Sequence, residues 1–239
     1  MPNSPSVLLA INNVTSGYGK KQILNGISLS VKSGDIVALI GHNGAGKSTL
    51  LKTIFGLIPI WDGEVILDGM ALSPPTPRRL LKSGVAYVPQ GNRIFTDLTV
   101  GENLKMGGET LANKNLARDG MERALDFFPA LKPRLSQRAG ILSGGEKQML
   151  ALSNALVLSP RLLLLDEPSL GLSPPSVERA LRRIEEISTR LNTGVLIVEQ
   201  KVREVLKIAR YVYVIRNGWV SFSGKTHELD EQKLREAYF

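Results

Sequence analysis

The sequence contains no cysteine and no apolar run long enough to cross a membrane, and it has only 2 histidines. The lack of cysteine excludes disulfides and cysteine-ligated metals. No apolar run reaches the ~20 residues that a membrane-spanning helix needs, and residues 1–6 lack the basic residues and apolar stretch of a secretion signal. We therefore expect a cytoplasmic protein with a packed core, which a hydrophobic content of 43% can supply.

There is no acidic excess either, because the formal net charge is +8 and no basic tail concentrates it. Diffuse positive charge can favour anionic lipid or nucleic acid, or it can reflect ordinary solubility together with a phosphate ligand. We favour the second interpretation, and expect no nucleic-acid partner.

What the sequence does contain is a phosphate-binding loop. The pattern occupies Gly41, His42, Asn43, Gly44, Ala45, Gly46, Lys47, Ser48 and Thr49. An apolar run at 36–40, typical of a buried strand, precedes it, and a segment that can form a helix follows. Glycines let several backbone N–H groups point at one phosphate, a helix N-terminus adds positive charge, Lys47 supplies a cation and the Ser48 hydroxyl can bind magnesium.

Two adjacent acids, Asp166 and Glu167, follow a run of four leucines that predicts a fully buried strand. In P-loop enzymes the first such acid helps to hold magnesium, and the second can orient or deprotonate the attacking water. Neighbouring side chains on an extended strand point to opposite sides. We therefore expect the two carboxylates to have different roles.

The first part of the chain predicts an antiparallel sheet, because its strands at 7–14 and about 23–31 are joined too closely for a crossover helix. Tyr18 lies in a predicted turn, either as a ring that stacks on a nucleotide base or as an exposed aromatic. Residues 59–63 predict a turn and 64–67 a short strand. Gln90 follows a strand at 85–88, at a position where open α/β sheets place ligand contacts.

From residue 99 to 158 the apolar spacing is helical, which predicts a helical lobe inserted into an α/β core. Within it, Ser143, Gly144 and Gly145 form a second potential anion site, because Ser143 is a good N-cap and the glycines free backbone N–H groups. We expect a helix from about 149. After the two acids we expect a loop at 169–175, a helix at 177–191, a strand at 195–198 and a helix at 202–209. A hairpin turns at Asn217-Gly218.

In this order the motifs resemble the ATP-binding subunits of ABC transporters, over nearly the whole chain. The resemblance implies an α/β P-loop ABC ATPase fold with an N-terminal antiparallel β subdomain and an inserted helical subdomain. The predicted division is 1–90 for the first part of the ATP-binding core, 91–158 for the helical subdomain and 159–239 for the second part of the core. The implied cofactors are ATP and Mg²⁺.

The resemblance also assigns roles to residues. Tyr18 is similar to the residue that stacks on adenine, and residues 41–49 to Walker A. Gln90 resembles the Q-loop glutamine, which contacts magnesium together with Ser48 and Asp166. Glu167 resembles the catalytic glutamate. Ser143, Gly144 and Gly145 resemble the signature that contacts ATP bound by the opposite subunit, which implies a head-to-tail dimer with two ATP molecules.

Two positions depart from the family pattern, since the switch histidine is replaced by Gln200 and the D-loop aspartate by Ser173. A glutamine can hydrogen-bond a phosphate but carries no positive charge. We therefore expect Gln200 to lower hydrolysis at its own catalytic site. Together with the sequence around Asp166, these departures resemble one of the two ATPase subunits of branched-chain amino acid importers. Urea and amide importers share the pattern.

The implied partners are a second ABC ATPase subunit, in a heterodimer or a homodimer, two membrane permease subunits and a solute-binding protein, with the chain at the cytoplasmic face of the membrane. A soluble ABC ATPase acting on ribosomes or DNA is the alternative class. Such proteins fuse two cassettes or insert a long coiled coil, and this chain has neither. Intact Lys47, Asp166 and Glu167 argue against a non-catalytic regulatory cassette.

Overall fold

The computed structural model describes residues 7–72, 74–91, 93–111 and 113–238. Its strands are β1 Val7–Tyr18, β2 Lys21–Lys32, β3 Ile36–Ile40, β4 Ile60–Leu67, β5 Met70–Ala71, β6 Val85–Val88, β7 Leu162–Asp166, β8 Gly194–Val198, β9 Tyr211–Arg216 and β10 Trp219–Lys225. Its α-helices are α1 Lys47–Ile54, α2 Pro77–Lys82, α3 Val100–Gly107, α4 Lys114–Phe127, α5 Gly144–Val157, α6 Pro174–Leu191, α7 Val202–Leu206 and α8 Glu231–Tyr238.

The first sheet is antiparallel and has four strands in the order β2-β1-β4-β5. This confirms the prediction of an N-terminal antiparallel subdomain. The prediction of a turn at 59–63 was wrong, because β4 already begins at Ile60. Gly63 has a φ of +84°, and a Cβ there would lie 2.4 Å from the Asn13 carbonyl oxygen. The register between β1 and β4 shifts beside this glycine, so a β-bulge replaces the predicted turn.

The second sheet has six strands in the order β10-β9-β3-β8-β7-β6. Strands β9, β3, β8, β7 and β6 pair in parallel, and β10 adds an antiparallel edge. All five residues of each of β3, β7 and β8 are buried. Their continuous apolar sequence follows from helices and the first sheet covering both faces. The carboxyl ends of these strands therefore meet at one edge, where the phosphate loop and Asp166 lie.

Helices α3, α4 and α5 lie between β6 and β7 in chain order, although β6 and β7 are paired neighbours in the sheet. The helical segment is thus an insertion, as predicted. Its apolar residues pack in the same cluster as one face of the sheet, including Leu104, Phe127 and Leu150. No helix in the described ranges is both long and apolar enough to cross a bilayer.

Several predicted boundaries were wrong by a few residues. Helix α5 begins at Gly144 rather than near 149, because Ser143 caps it. Helix α6 begins at Pro174, since a proline in the first helical turn lacks only an N–H group that would be unpaired anyway. Helix α7 ends at Leu206 instead of 209. Tyr18 is the last residue of β1 and not part of a turn.

Candidate functional site

The phosphate loop leaves buried β3 and enters α1 at Lys47. Lys47 is only 5% exposed, and its Nζ donates hydrogen bonds to the carbonyl oxygens of Gly41 at 2.7 Å and His42 at 2.8 Å. Burial lowers the pKa of Lys47, while the carboxylates of Glu167 and Asp166 raise it. The loop thus surrounds the ammonium group of Lys47. A phosphate carries more negative charge than the two carbonyls and can replace them as the acceptor of its hydrogen bonds.

The C-terminal part of the chain supports this loop. The Gly41 N–H donates to the hydroxyl of Tyr238 at 3.1 Å, and the Tyr238 ring meets the His42 ring edge-on, with centroids 4.8 Å apart. The Gly218 N–H donates to the Ala45 carbonyl at 2.9 Å. Two distant segments therefore hold the backbone whose N–H groups would contact phosphate.

Asp166 ends β7 and is only 2% exposed. The Ser48 hydroxyl donates to Asp166 Oδ1 at 2.8 Å, and the Tyr87 hydroxyl donates to Oδ2 at 3.1 Å. Burial raises the pKa of Asp166, and the hydrogen bonds from Ser48 and Tyr87 oppose that shift. The structure therefore brings together two of the three predicted magnesium ligands.

Gln90, the third predicted magnesium ligand, contacts Glu167. Its Nε2 donates to Glu167 Oε2 at 2.9 Å. Gln200 donates from Nε2 to both oxygens of the same carboxylate, at 2.9 and 2.8 Å. Glu167 is thus held by two amides, one from the loop after β6 and one from the loop after β8.

The backbone of Glu167 differs from the expectation that the two acids sit on one extended strand. Its φ is +50°, in the left-handed region, and its N–H donates to the Val198 carbonyl at 2.9 Å. The carboxylates of Asp166 and Glu167 still have separate hydrogen-bond partners. A backbone turn after Asp166, and not strand alternation, accounts for this separation.

The residues Ser143, Gly144 and Gly145 lie at the start of α5. The Ser143 hydroxyl accepts from the Glu146 N–H, and the Glu146 carboxylate accepts from the Ser143 N–H at 2.9 Å, which makes a reciprocal capping box. These residues line a groove shared with the end of α4, the loop at 171–173 and the start of α6. The second predicted anion site is therefore a capped helix start, and the groove that it lines does not include residues 41–49.

Tyr18 is 50% exposed at the end of β1, so its ring is accessible as the base-stacking interpretation requires. The described residues contain no group of three or more His, Cys, Asp or Glu that could hold a metal. A magnesium ion at Ser48 and Asp166 would also take ligands from phosphate and water, as magnesium commonly does. The donor set present fits that ion.

Three contributors were missed from the sequence: Tyr87, Tyr238 and Gly218. Tyr87 carried a signal, since it is a polar aromatic in a short strand just before Gln90, next to the strand that ends in Asp166. Tyr238 lies 197 residues from Gly41 along the chain, and Gly218 lies 173 residues (218 − 45) from Ala45. No local pattern marks such a contact.

Comparison with known proteins agrees with this geometry. A family model described as ABC transporter matches residues 24–170. The chain is 43% identical to the high-affinity branched-chain amino acid transport ATP-binding protein BraG of Pseudomonas aeruginosa, over 97% of this chain and 99% of that protein. It is 40% identical to the probable branched-chain amino acid transport ATP-binding protein LivF of Archaeoglobus fulgidus, over 96% and 97%.

Among solved structures, the ADP conformation of MJ1267, an ATP-binding cassette of an ABC transporter, superposes with a TM-score of 0.86 at 25% identity. That match covers 97% of this chain and 98% of the other. The chain belongs to the ABC transporter family and is one of its ATP-hydrolysing subunits.

Proposed function

We propose that this chain is the ATPase subunit of an importer for branched-chain amino acids, bound at the cytoplasmic face of the membrane. The observation that carries the proposal is the match over nearly full length, at 43% and 40% identity, to two proteins named for branched-chain amino acid transport. The glutamine at position 200, within the sequence Val-Glu-Gln, is consistent with this subgroup.

We propose that the loop from Gly41 to Thr49 binds the phosphates of ATP. Lys47 would exchange the Gly41 and His42 carbonyls for phosphate oxygens, which leaves its buried ammonium better neutralised. Tyr18, half exposed, would stack on adenine. Ser48, Asp166 and Gln90 would hold magnesium, which neutralises charge on the phosphates.

We propose that Glu167 accepts a proton from the attacking water. The hydrogen bonds from Gln90 and Gln200 fix its carboxylate and occupy both oxygens. A carboxylate oxygen has a second lone pair beside the one that accepts an amide hydrogen bond, and that lone pair can accept the proton. Neither glutamine can supply the positive charge of an imidazolium.

We propose that two cassettes close head to tail, so that Ser143, Gly144 and Gly145 of one contact the ATP held by the phosphate loop of the other. The support is the location of the α5 start, in a groove built with α4 and α6 rather than with residues 41–49. The full assembly would contain a second ABC ATPase subunit, two membrane permeases and a solute-binding protein.

The dimer is tested with Glu167→Gln, which removes the proton acceptor while leaving the nucleotide site intact. Light scattering with ATP and magnesium, with and without the sibling subunit, should show a stable dimer. The matched control Lys47→Ala/Glu167→Gln should stay monomeric. Monomers alone for Glu167→Gln in both arms, or full ATP turnover by this variant, would contradict the proposed arrangement.

The substrate is tested by reconstituting the complete transporter in vesicles with its solute-binding protein. Leucine, isoleucine or valine should stimulate ATP turnover, and urea and short amides should not. Stimulation by urea or amides alone would assign the chain to that related group of importers.

A further inference from the structure

Glu199 is a buried carboxylate for which the proposed mechanism has no role. It directly follows β8 and is 1% exposed. Burial raises its pKa, and backbone and side-chain hydrogen bonds from its neighbours oppose that shift. None of the ion pairs found among the described residues includes it. Burying an unpaired carboxylate is costly unless N–H groups satisfy its oxygens, so its contacts need an explanation.

Backbone N–H groups from two different loops donate to this carboxylate, those of Ser169 and Gln200 and also that of Lys201. Glu199 Oε1 accepts from the Ser169 N–H at 2.8 Å, and Oε2 accepts from the Gln200 N–H at 3.2 Å. Ser169 lies in the loop after β7, two residues beyond Glu167. One side chain therefore ties the loop after β7 to the loop after β8.

A second connection between the same loops closes a ring of contacts. The side chain of Gln200 donates to both oxygens of Glu167, and the Glu167 N–H donates to Val198. The Gln200 backbone is thus fixed by Glu199, while the Gln200 amide reaches the proposed proton acceptor. A displacement of the Glu199 carboxylate would therefore move the backbone of Gln200 and, with it, the side-chain amide.

We infer that Glu199 is a positioning residue, which sets the Gln200 amide against Glu167 and couples that amide to the conformation of the loop at 169–173. The inference rests on the proposed roles of Glu167 and Gln200 in ATP cleavage. Glu199 itself does not contact the reacting groups; it acts through Gln200. A purely structural role for Glu199 would affect stability, but it would not depend on the Gln200 side chain.

The test is a double-mutant cycle in the full chain, with Glu199→Gln, Gln200→Ala and the combined variant. Glu199→Gln keeps one acceptor oxygen and turns an NH₂ group toward one backbone N–H. We expect ATP turnover at saturating ATP to fall about tenfold, a loss of the size that one charge-assisted hydrogen bond accounts for, with KM unchanged. In the Gln200→Ala background, Glu199→Gln should change turnover by less than about twofold.

The matched control removes a different buried hydrogen bond at the other end of the same strand. Thr193 is fully buried just before β8, and its hydroxyl donates to the Pro160 carbonyl at 2.9 Å. Thr193→Val should lower the melting temperature but leave turnover of the folded protein unchanged. If Glu199→Gln does not fold, Glu199→Asp keeps the charge but cannot reach both loops, and it replaces Glu199→Gln in the cycle.

Equal losses from the Glu199 substitution with and without Gln200, or no loss of turnover at all, would overturn the inference. A wild-type chain with no ATP turnover, alone and with its sibling subunit, would instead overturn the proposed function. The two failures are therefore distinguishable in one experiment.

Discussion

At the scale of single residues, Gln200 is one of the two positions, with Ser173, at which this chain departs from the family pattern. Its amide already contacts Glu167, so an imidazole at the same position is within reach of the same carboxylate. A protonated imidazole would add the positive charge that the amide lacks.

We therefore expect Gln200→His to raise ATP turnover at this chain's own site. A factor of about ten corresponds to roughly 1.4 kcal/mol of additional transition-state stabilisation. Steady-state phosphate release measures it, with Gln90→His as the control, since that change alters the other amide that holds Glu167. No rise for Gln200→His would count against the slow-site hypothesis.

Tyr87 gives a second prediction at the residue scale. Tyr87→Phe removes only the hydroxyl that donates to Asp166 Oδ2, and its ring still packs near Phe55, with centroids 5.3 Å apart. We expect weaker binding of Mn²⁺, used in place of magnesium, to the protein–nucleotide complex, by about threefold to tenfold. Electron paramagnetic resonance of free Mn²⁺ measures it. Unchanged Mn²⁺ affinity would show that the Tyr87 hydroxyl does not contribute to metal binding by Asp166.

At the scale of elements, two helices begin with the same reciprocal cap, and this makes a matched comparison possible. Thr99 and Glu102 form the capping box of α3, and Ser143 and Glu146 form that of α5. Replacing either cap by alanine should cost about 1 kcal/mol of unfolding free energy. Only the α5 cap belongs to the proposed nucleotide contact.

We accordingly expect Ser143→Ala and Thr99→Ala to lower the melting temperature similarly, by about 2–4 °C for a chain of this size. Only Ser143→Ala should reduce ATP turnover. Calorimetry and phosphate release on both variants check this. An equal loss of turnover in both would mean that Ser143 acts as a cap and nothing more.

The caps also predict a pH dependence. The hydrogen bond from the Ser143 N–H holds the pKa of Glu146 below its ordinary value of 4.5. Because the folded pKa is depressed, the stabilisation is complete above 4.5 and is lost as the pH falls through the depressed folded pKa. The difference in unfolding free energy between wild type and Glu146→Gln should therefore shrink below that pH. Urea unfolding of both proteins across acid pH measures it, and a difference that grows would contradict the assignment.

The elements also show how far sequence reasoning reaches. Residues 41–49 and Asp166 could be placed because each motif adjoins a buried strand, and parallel strands bring their carboxyl ends together. The bulge at Gly63 could not be predicted, because a glycine in the sequence is equally typical of a turn and of a bulge unless the partner strand is known. The contacts of Glu199 depend on two loops meeting in space, which spacing along one chain does not encode.

At the scale of the whole molecule, the tight turn between β9 and β10 contacts the loop that we propose binds nucleotide. Asn217 and Gly218 both have positive φ, as the two-residue turn requires and as the sequence predicted. A Cβ at Gly218 would lie 2.0 Å from the Ile23 carbonyl oxygen, and the Gly218 N–H supports Ala45.

We expect Gly218→Ala to lower the affinity for ATP. It should also lower the unfolding free energy, by more than the ~1–2 kcal/mol that a non-glycine residue in the left-handed conformation costs. Gly69→Ala is the control, because Gly69 has a φ of +76° but its Cβ position has no atom of a non-adjacent residue within 4 Å in the part of the chain that the structure describes. That variant should lose only the conformational part and bind ATP normally. Thermal unfolding and fluorescent-nucleotide titration compare the two variants. Equal affinities for nucleotide would show that the turn does not contribute to nucleotide binding.

The position of β3 has a consequence for the order in which the protein becomes competent during synthesis. This strand delivers the phosphate loop, yet both of its neighbours, β8 and β9, come from residues 194–216. A ribosome that has released the first 150 residues has exposed the loop without the strands that flank it. Nascent chains should thus acquire nucleotide affinity only after residues 194–216 have left the ribosome, and until then both edges of the apolar β3 lack their partner strands.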